Sequence, residues 1–224
     1  MNIIKLIKQR KSVRAYLDKE VEDEKIIQIL ESAKHAPSGV NMQPFDVHVV
    51  SKKTKKSIEN KMLVAFDKNE KEQMDYQYYP LNWEEPYKSR RKKTGLLMYE
   101  TLGIKRENKE RQIQQWKANY KAFGAPVVLY FFIDSTLEKG SYLDYGMFLQ
   151  SIMLAAVDQG LATCPQAALT EYPQIVKKIL KRNKFMHYIK KISFYGPFRL
   201  FGHLNLCQKK ICFIKYLKLN QLRK

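Results

Sequence analysis

The sequence predicts an α+β fold in which helices cover a sheet. Three observations support this class. The chain opens with helical patterns, two strand-like segments follow with helical patterns between them, and a further apolar helical segment comes after the second strand. No glycine-rich turn joins a strand to a helix, which argues against a dinucleotide-binding Rossmann unit.

The first helix is predicted over residues 2–9, where isoleucines recur at helical spacing. A second helix begins at Asp23 and ends before Pro37. Further helices are predicted at 54–66, 96–102, 108–123, 146–157 and 172–180. The segment 146–157 is apolar on most sides, so we expect it to be buried in the domain or at a subunit interface.

Two segments are typical of strands. Residues 45–50 alternate and are rich in valine, and residues 125–133 form a near-continuous apolar run that predicts a buried central strand. Between them, residues 67–95 are polar and aromatic. We interpret this stretch as a long excursion or lid, because loops of this length are usually functional or mobile.

Composition indicates a cytoplasmic protein with a packed core. The chain has 224 residues, of which 45% are hydrophobic. Its first residues lack the apolar core of a signal peptide, and its longest apolar run is far shorter than the ~20 residues of a membrane span. Three cysteines form neither a disulfide framework nor a zinc pattern, so we expect no metal.

The formal net charge of +19 is concentrated at the C-terminal end. Residues 172–224 contain 14 lysines and arginines and no acidic residue. The remaining 27 basic and 22 acidic residues give the body of the chain a net charge of only +5. The body therefore does not by itself indicate binding to nucleic acid.

The first motif with chemical potential is Arg10-Lys11-Ser12-Val13-Arg14, directly after the first helix. In an extended turn, Arg10, Ser12 and Arg14 would lie on one side, and guanidinium groups suit phosphate oxygens. A solvated basic patch would have the same sequence.

A second motif, residues 37–44, combines loop-forming residues with amides that can read the edge of a heteroaromatic ring. It could equally be a helix-to-strand turn whose amides bond to their own backbone. A third motif, residues 160–169, is a loop of small residues that would let a flat ligand approach the backbone, or simply a connection into a strand or turn.

Taken together, the three motifs resemble the flavin-dependent nitroreductase family in residue type, order and spacing. The resemblance covers residues 1–180 and includes the segments 125–129, 141–146 and 164–168. It implies a three-layer α+β sandwich with a mixed sheet, a homodimer, and FMN at the subunit interface. It also implies a ping-pong reaction in which NADH or NADPH reduces FMN, and FMN then reduces a nitro compound, quinone or similar acceptor.

A flavin carries the hydride chemistry itself, so the absence of an acid–base constellation is expected. The family's contacts to FMN correspond here to three sets of residues. The phosphate and ribityl set is Arg10, Lys11, Ser12 and Arg14; the set from the partner subunit is Pro37, Ser38, Gly39 and Asn41; the strip over the flavin ring is Pro165, Gln166 and Ala167. Many members have Glu-Gly at positions 167–168, but the family's hydrogen bond to the flavin comes from a backbone N–H, which Ala167 retains.

The C-terminal quarter departs from the family. Residues 181–224 show neither strand alternation nor helical periodicity, so the family's last strand and its basic extension are not recognisable. We predict a flavin-binding domain over 1–180 and an atypical basic tail over 181–224. One hypothesis is a frameshift near residue 180, and the other is a basic extension that docks on an acidic partner, a membrane surface or nucleic acid.

Two alternatives to an active reductase follow from this tail. The chain could be an impaired nitroreductase remnant that has lost a central strand, since a few unpaired buried backbone groups can unfold a domain. The second alternative is a basic binding module in which the tail binds the partner.

Overall fold

The structure, a computed structural model, describes residues 2–17, 19–182 and 186–195. The helices are α1 (Ile3–Gln9), α2 (Asp23–Ala33), α3 (Lys52–Asp67), α4 (Tyr87–Thr101), α5 (Lys109–Tyr120), α6 (Lys139–Asp158) and α7 (Pro173–Ile179). The strands are β1 (Asp46–Ser51), β2 (Val127–Asp134), β3 (Ala162–Gln166) and β4 (Met186–Tyr195). Short 3₁₀ helices lie at Gly39–Asn41, Ala122–Gly124 and Ala168–Glu171. Among the described helices, none is both long and apolar enough to span a bilayer.

The four strands form one sheet in the order β1-β2-β4-β3, and each neighbouring pair is antiparallel. A parallel bridge between Ser12 and Thr163 adds the segment after α1 to the free side of β3. Among the described residues, this bridge is the parallel part of the predicted mixed sheet.

Strand β2 is buried on both faces, as its apolar run predicts. Successive side chains of a strand point to opposite faces. Val127, Leu129, Phe131 and Ile133 therefore join a core formed with α2 and α6. Val128, Tyr130 and Phe132 join a second core with α3 and α7. The predicted three-layer α+β sandwich is confirmed by these two cores on either side of the sheet.

Most of the predicted elements are confirmed, with shifted ends. The helix predicted at 146–157 begins earlier, at Lys139, and the one predicted at 96–102 begins at Tyr87. The interpretation of 67–95 as continuous loop is therefore wrong in its last part. Lysines and arginines occupy much of the first half of α4, and these residues form helix readily without giving an apolar period.

The expectation that the last strand is missing is also wrong. Strand β4 lies between β2 and β3 and pairs with both. The register shifts at its pairing with Phe131 and Phe132, which marks a β-bulge. A bulge interrupts the period of two, so Tyr188 and Ile192, four residues apart, belong to opposite cores. This switch of face explains why the sequence shows no clean alternation. Residues 196–224 lie outside the described part of the chain, so the frameshift and extension hypotheses stay predictions.

Two carboxylates tie the excursion after α3 to the C-terminal elements. Asp75 Oδ1 lies 2.5 Å from Lys177 Nζ on α7, and Asp75 Oδ2 accepts a 2.8 Å hydrogen bond from the backbone N–H of Tyr188 on β4. Glu72 Oε2 accepts a 2.6 Å hydrogen bond from the backbone N–H of Gln174. The excursion is thus fixed to the sheet at its beginning.

We expect Asp75→Ala to lower the free energy of unfolding by about 3–5 kcal/mol, because it leaves a buried ammonium without its carboxylate. The side chains of Asp75 and Lys177 are only 8% and 4% exposed. Urea denaturation measures the change. Glu70→Ala is the control, since Glu70 pairs with Lys68 in solvent and should cost less than about 1 kcal/mol. Equal effects of the two substitutions would contradict the prediction.

His48 on β1 lies inside the domain. It is buried, and its ring contacts Phe132 edge to face at 5.4 Å. Burial, and secondarily the positive charge of Arg182, lowers the pKa of His48 to about 4. The imidazole is therefore neutral at pH 7.

This shift predicts a pH dependence of stability. Between about pH 6.5, the usual histidine pKa, and pH 4, the unfolded chain binds the proton more readily than the folded chain. The free energy of unfolding should fall over this window by up to about 3 kcal/mol through His48 alone. His48→Gln should remove that part of the fall, measured by urea denaturation at pH 7 and pH 4.5. An equal fall in the parent and in His48→Gln would refute the assignment to His48.

Candidate active site

The first and third motifs lie side by side. After α1 the chain is extended, and the backbone N–H of Val13 donates a 3.1 Å hydrogen bond to the carbonyl of Thr163. The guanidinium of Arg14 donates to the carbonyl of Ser12 at 3.4 Å. Arg10 closes α1 through its N–H, which bonds to the Leu6 carbonyl at 3.0 Å, and its side chain is half-buried. The bridge between Ser12 and Thr163 therefore brings the segment that carries the Ser12 hydroxyl and the Arg14 guanidinium next to β3.

Residues 162–166 of the third motif form a strand rather than the predicted loop, in agreement with the alternative of a connection into a strand. Gly160, at φ 72°, makes the turn after α6, and β3 then runs from Ala162 to Gln166. Small residues and a proline gave no strand signal, because strand propensity is carried by β-branched and aromatic side chains. Cys164 faces inward and is buried, whereas Pro165 is half-buried.

The end of β3 is held in place by α5. Gln166 is buried, and its Nε2 donates to the backbone carbonyl of Asn119 at 3.2 Å. The carbonyl of Ala167 accepts two hydrogen bonds from Thr170, from the N–H at 2.9 Å and from the hydroxyl at 2.8 Å. The N–H of Ala167, the predicted flavin contact, therefore lies between the anchored Gln166 side chain and the hydrogen-bonded Ala167 carbonyl.

A hydroxyl–carboxylate contact reinforces the same region. Tyr120 at the end of α5 donates a 2.6 Å hydrogen bond to Glu171, and Trp116 donates to the Tyr120 hydroxyl at 3.2 Å. Burial, with the hydrogen bond to Glu171, raises the pKa of Tyr120. Sequence reasoning missed these residues. Their signal is weak, since a tyrosine that ends a polar helix could equally well face solvent.

The second motif is a strained turn. Val40, Asn41 and Gln43 have φ values of 45°, 56° and 51°, in the left-handed region that β-branched residues rarely adopt. The Ser38 hydroxyl accepts a 2.9 Å hydrogen bond from the Gln43 N–H, and the Gln43 side-chain amide donates to Asn41 Oδ1 at 2.6 Å. The motif thus satisfies part of its own polar groups. Its two side-chain amides bond to each other, whereas the alternative interpretation expected them to bond to their own backbone. Strain of this kind is maintained only where the surroundings impose it.

Within one chain the second motif lies apart from the other two. The backbone N–H of Gly39 donates a 3.1 Å hydrogen bond to Asp144, near the beginning of α6. Ser12 is joined through Thr163 to the turn that follows the other end of α6. At 1.5 Å per residue, the distance along the helix from residue 144 to residue 158 is about 21 Å. Asp144 was not singled out from the sequence, although it lies in the segment 141–146.

No group of three histidine, cysteine, aspartate or glutamate side chains is arranged to hold a metal ion within residues 2–17, 19–182 and 186–195.

The fold and the site together define an α+β sandwich in which a segment with two arginines and a serine lies beside a strand of small residues. A family model described as the nitroreductase family matches residues 7–189. The chain belongs to the nitroreductase family. The match runs past residue 180 into β4, beyond the predicted limit of the resemblance.

Individual relatives agree with this assignment. The chain is 34% identical over 175 residues to a 4-nitrobenzoate reductase of Pseudomonas putida, which covers 78% of this chain and 76% of that protein. It superposes with a TM-score of 0.84 and 31% identity on the FMN and NADPH-dependent nitroreductase NfnB from sphigopyxis sp. strain HMH, covering 88% of this chain and 89% of that one. It superposes with a TM-score of 0.81 and 30% identity on the FMN-dependent nitroreductase NfnB from Mycobacterium smegmatis in complex with NADPH. That superposition covers 87% of this chain and 86% of that one.

These matches confirm the predicted family, its oxidoreductase class and its fold. FMN and NADPH, two of the cofactors that the resemblance implied, are those named for the two solved structures.

We expect Gln166→Leu to lower the free energy of unfolding by about 1–3 kcal/mol, because the Asn119 carbonyl loses a buried partner. Thermal or urea denaturation measures this. Gln114→Leu, at an exposed position of α5, is the matched control and should stay within about 0.5 kcal/mol of the parent. A Gln166 variant as stable as the control would show that this hydrogen bond does not fix β3.

Proposed function

We propose that this chain binds FMN and uses NADPH or NADH to reduce aromatic nitro compounds, as a homodimer. The observation that carries the proposal is the bridge between Ser12 and Thr163. It joins the segment that carries Ser12 and Arg14 to β3, the strand that leads into the strip 165–167, in a chain of the nitroreductase family. The relatives' named substrate and cofactors, 4-nitrobenzoate, FMN and NADPH, give the proposal its chemistry.

The residues present fit FMN. A phosphate monoester needs cationic and hydroxyl donors, and Arg10, Ser12 and Arg14 supply them. A flat ring needs a surface of compact side chains and a backbone donor. Pro165 and Ala167 supply the surface next to the buried Gln166, and Ala167 has the backbone N–H. Lys11 is exposed and adds positive charge to the same corner.

When bound, FMN supplies the hydride chemistry between NAD(P)H and the acceptor. The residues of this chain have the tasks of binding and orienting. Arg10, Ser12 and Arg14 would hold the phosphate end, and the backbone N–H of Ala167 would donate to the ring. We further propose a ping-pong order, with the oxidised nicotinamide leaving before the acceptor binds, and quinones as additional acceptors.

The homodimer is supported by the separation of the second motif from the other two. The second motif cannot reach a ligand bound at Ser12 of the same chain if it lies about 21 Å away along α6. Its residues proposed to contact that ligand are Pro37, Ser38, Gly39 and Asn41. A second copy would bring its own 37–41 segment to that ligand. The surface beside the motif is apolar and exposed, with Val40 at 93% and Leu143 at 74%. Apolar surface of this kind marks contact surfaces between proteins.

The impaired-remnant alternative assumed a missing central strand, and β4 occupies that position. The basic-module alternative depends on residues 196–224, which lie outside the described part of the chain. The proposed location is the cytoplasm, where a cysteine-poor chain without a disulfide framework is usual.

The test is the visible spectrum of the purified full-length protein after incubation with FMN and desalting, followed by NADPH oxidation with 4-nitrobenzoate. We expect retained flavin absorbance and acceptor-dependent turnover. Arg14→Glu should weaken FMN binding by about tenfold or more, because a charge-assisted contact to phosphate is replaced by repulsion. Lys61→Glu makes the same charge change at an exposed position of α3 and should leave FMN binding unchanged.

A folded protein, verified by circular dichroism, that stays colourless in excess FMN would overturn the proposed function.

A further inference from the structure

Five aromatic side chains form a continuous series from α6 to the start of α4. We call them the aromatic series: Tyr142, Tyr76, Tyr78, Tyr79 and Trp83. The distances between successive ring centroids are 5.5, 6.1, 4.6 and 5.6 Å. Edge-to-face and tilted contacts at such distances are the favourable geometries for aromatic pairs. Tyr78 and Tyr79 are exposed, so the series presents ring surface to solvent.

One end of the aromatic series lies beside the second motif. Tyr142 is two residues before Asp144, which accepts the hydrogen bond from Gly39. The neighbouring Ser141 hydroxyl contacts the sulfur of Met42 at 3.8 Å. The series therefore starts at the segment that, under the proposed function, completes a flavin site.

The other end carries a guanidinium. The Arg91 side chain lies over the ring of Trp83 at 4.9 Å from its centroid, a cation–π contact that gives this cation a defined position. Its charge also reaches Tyr79. Burial and the neighbouring Tyr78 raise the pKa of Tyr79, and Arg91 opposes that rise.

The surroundings of Arg91 are strongly basic. Lys88, Arg90, Lys92 and Lys93 lie within three residues of it on α4. Glu84 and Glu85 precede the helix, and Glu85 accepts a 3.3 Å hydrogen bond from the Ser89 N–H at the helix start. Residues 84–93 thus contain five cations and two carboxylates, and the end of the aromatic series faces a net positive field.

We propose that the aromatic series and Arg91 select acceptors that are aromatic and negatively charged, such as nitrobenzoates, over neutral nitroaromatics. The inference rests on the proposed function and assigns a substrate class to the same site. An aromatic ring can stack on the exposed rings of the series, and a guanidinium fork matches a carboxylate in two hydrogen bonds. A neutral nitroaromatic would gain the stacking but not the charge-assisted contact.

The anion recognised by Arg91 has a second source, the 2′-phosphate of NADPH. The two are separated by measuring kcat/KM for the donor and the acceptor independently. If Arg91 selects the acceptor, its variants should change the ratio of kcat/KM for 4-nitrobenzoate to kcat/KM for nitrobenzene. The ratio of kcat/KM for NADPH to kcat/KM for NADH should stay unchanged. A change confined to the donor ratio overturns the proposal in favour of donor recognition.

The experiment compares kcat/KM for 4-nitrobenzoate and nitrobenzene at saturating NADPH, using the full-length holoenzyme. We expect the parent to prefer 4-nitrobenzoate, Arg91→Glu to lower that preference at least tenfold, and Arg91→Gln to lower it by a smaller factor. Lys93→Glu is the control. It makes the same charge change two residues further along α4, about 200° around the helix, and should alter the preference less than twofold.

A binding measurement keeps the inference testable when turnover fails. Trp83 and Trp116 are the two tryptophans, so Trp116→Phe leaves Trp83 as the sole tryptophan, which is excited selectively over the tyrosines. Quenching of its fluorescence should give tighter binding of 4-nitrobenzoate than of nitrobenzene, and Arg91→Glu in this background should abolish the difference. Equal binding of the two compounds by the parent overturns the inference. Absence of flavin and of all turnover, with selective binding retained, would instead overturn the proposed function alone.

Discussion

All the side chains of β2 from Val127 to Ile133 are buried, and the domain is organised around this burial. A strand without a solvent-exposed face needs helices above and below it and a pairing strand on each side, because its backbone polar groups have no access to water. The described structure meets both needs. Helices α2 and α6 cover one face, α3 and α7 cover the other, and β1 and β4 satisfy the two edges.

The position of the candidate site follows from this arrangement. Because β4 lies next to β2, β3 is moved to the edge of the described sheet, where it can accept the segment after α1 as a bridge. Helix α6 packs on the first core and separates the second motif from β3 along its length. One helix thus sets the spacing between two parts of the site, and this spacing is the physical reason for proposing that two chains share it.

What could be predicted from the sequence depended on how continuous each signal is. The apolar run of β2 and the apolar α6 are recognisable because burial on most sides leaves few polar residues. Strand β4 was missed because its bulge moves Tyr188 and Ile192 to opposite cores, which erases the alternation. Strand β3 was missed because its burial depends on small side chains. In the candidate site, the motifs were recognisable, but the hydrogen bonds of Gln166, Tyr120 and Asp144 join residues 47 or more positions apart, and no local pattern encodes them.

The anchoring of the excursion has a consequence for how such an enzyme can change over evolution. Glu72 and Asp75 fasten its beginning to α7 and β4, while α4, with no buried residue in this chain, follows it on the surface. Substitutions between residues 77 and 93 can therefore alter the chemistry of the surface without disturbing either core. A lineage could exchange aromatic and charged side chains there and acquire new acceptors. Such substitutions would fall on residues that contribute little to stability, so the fold would be kept.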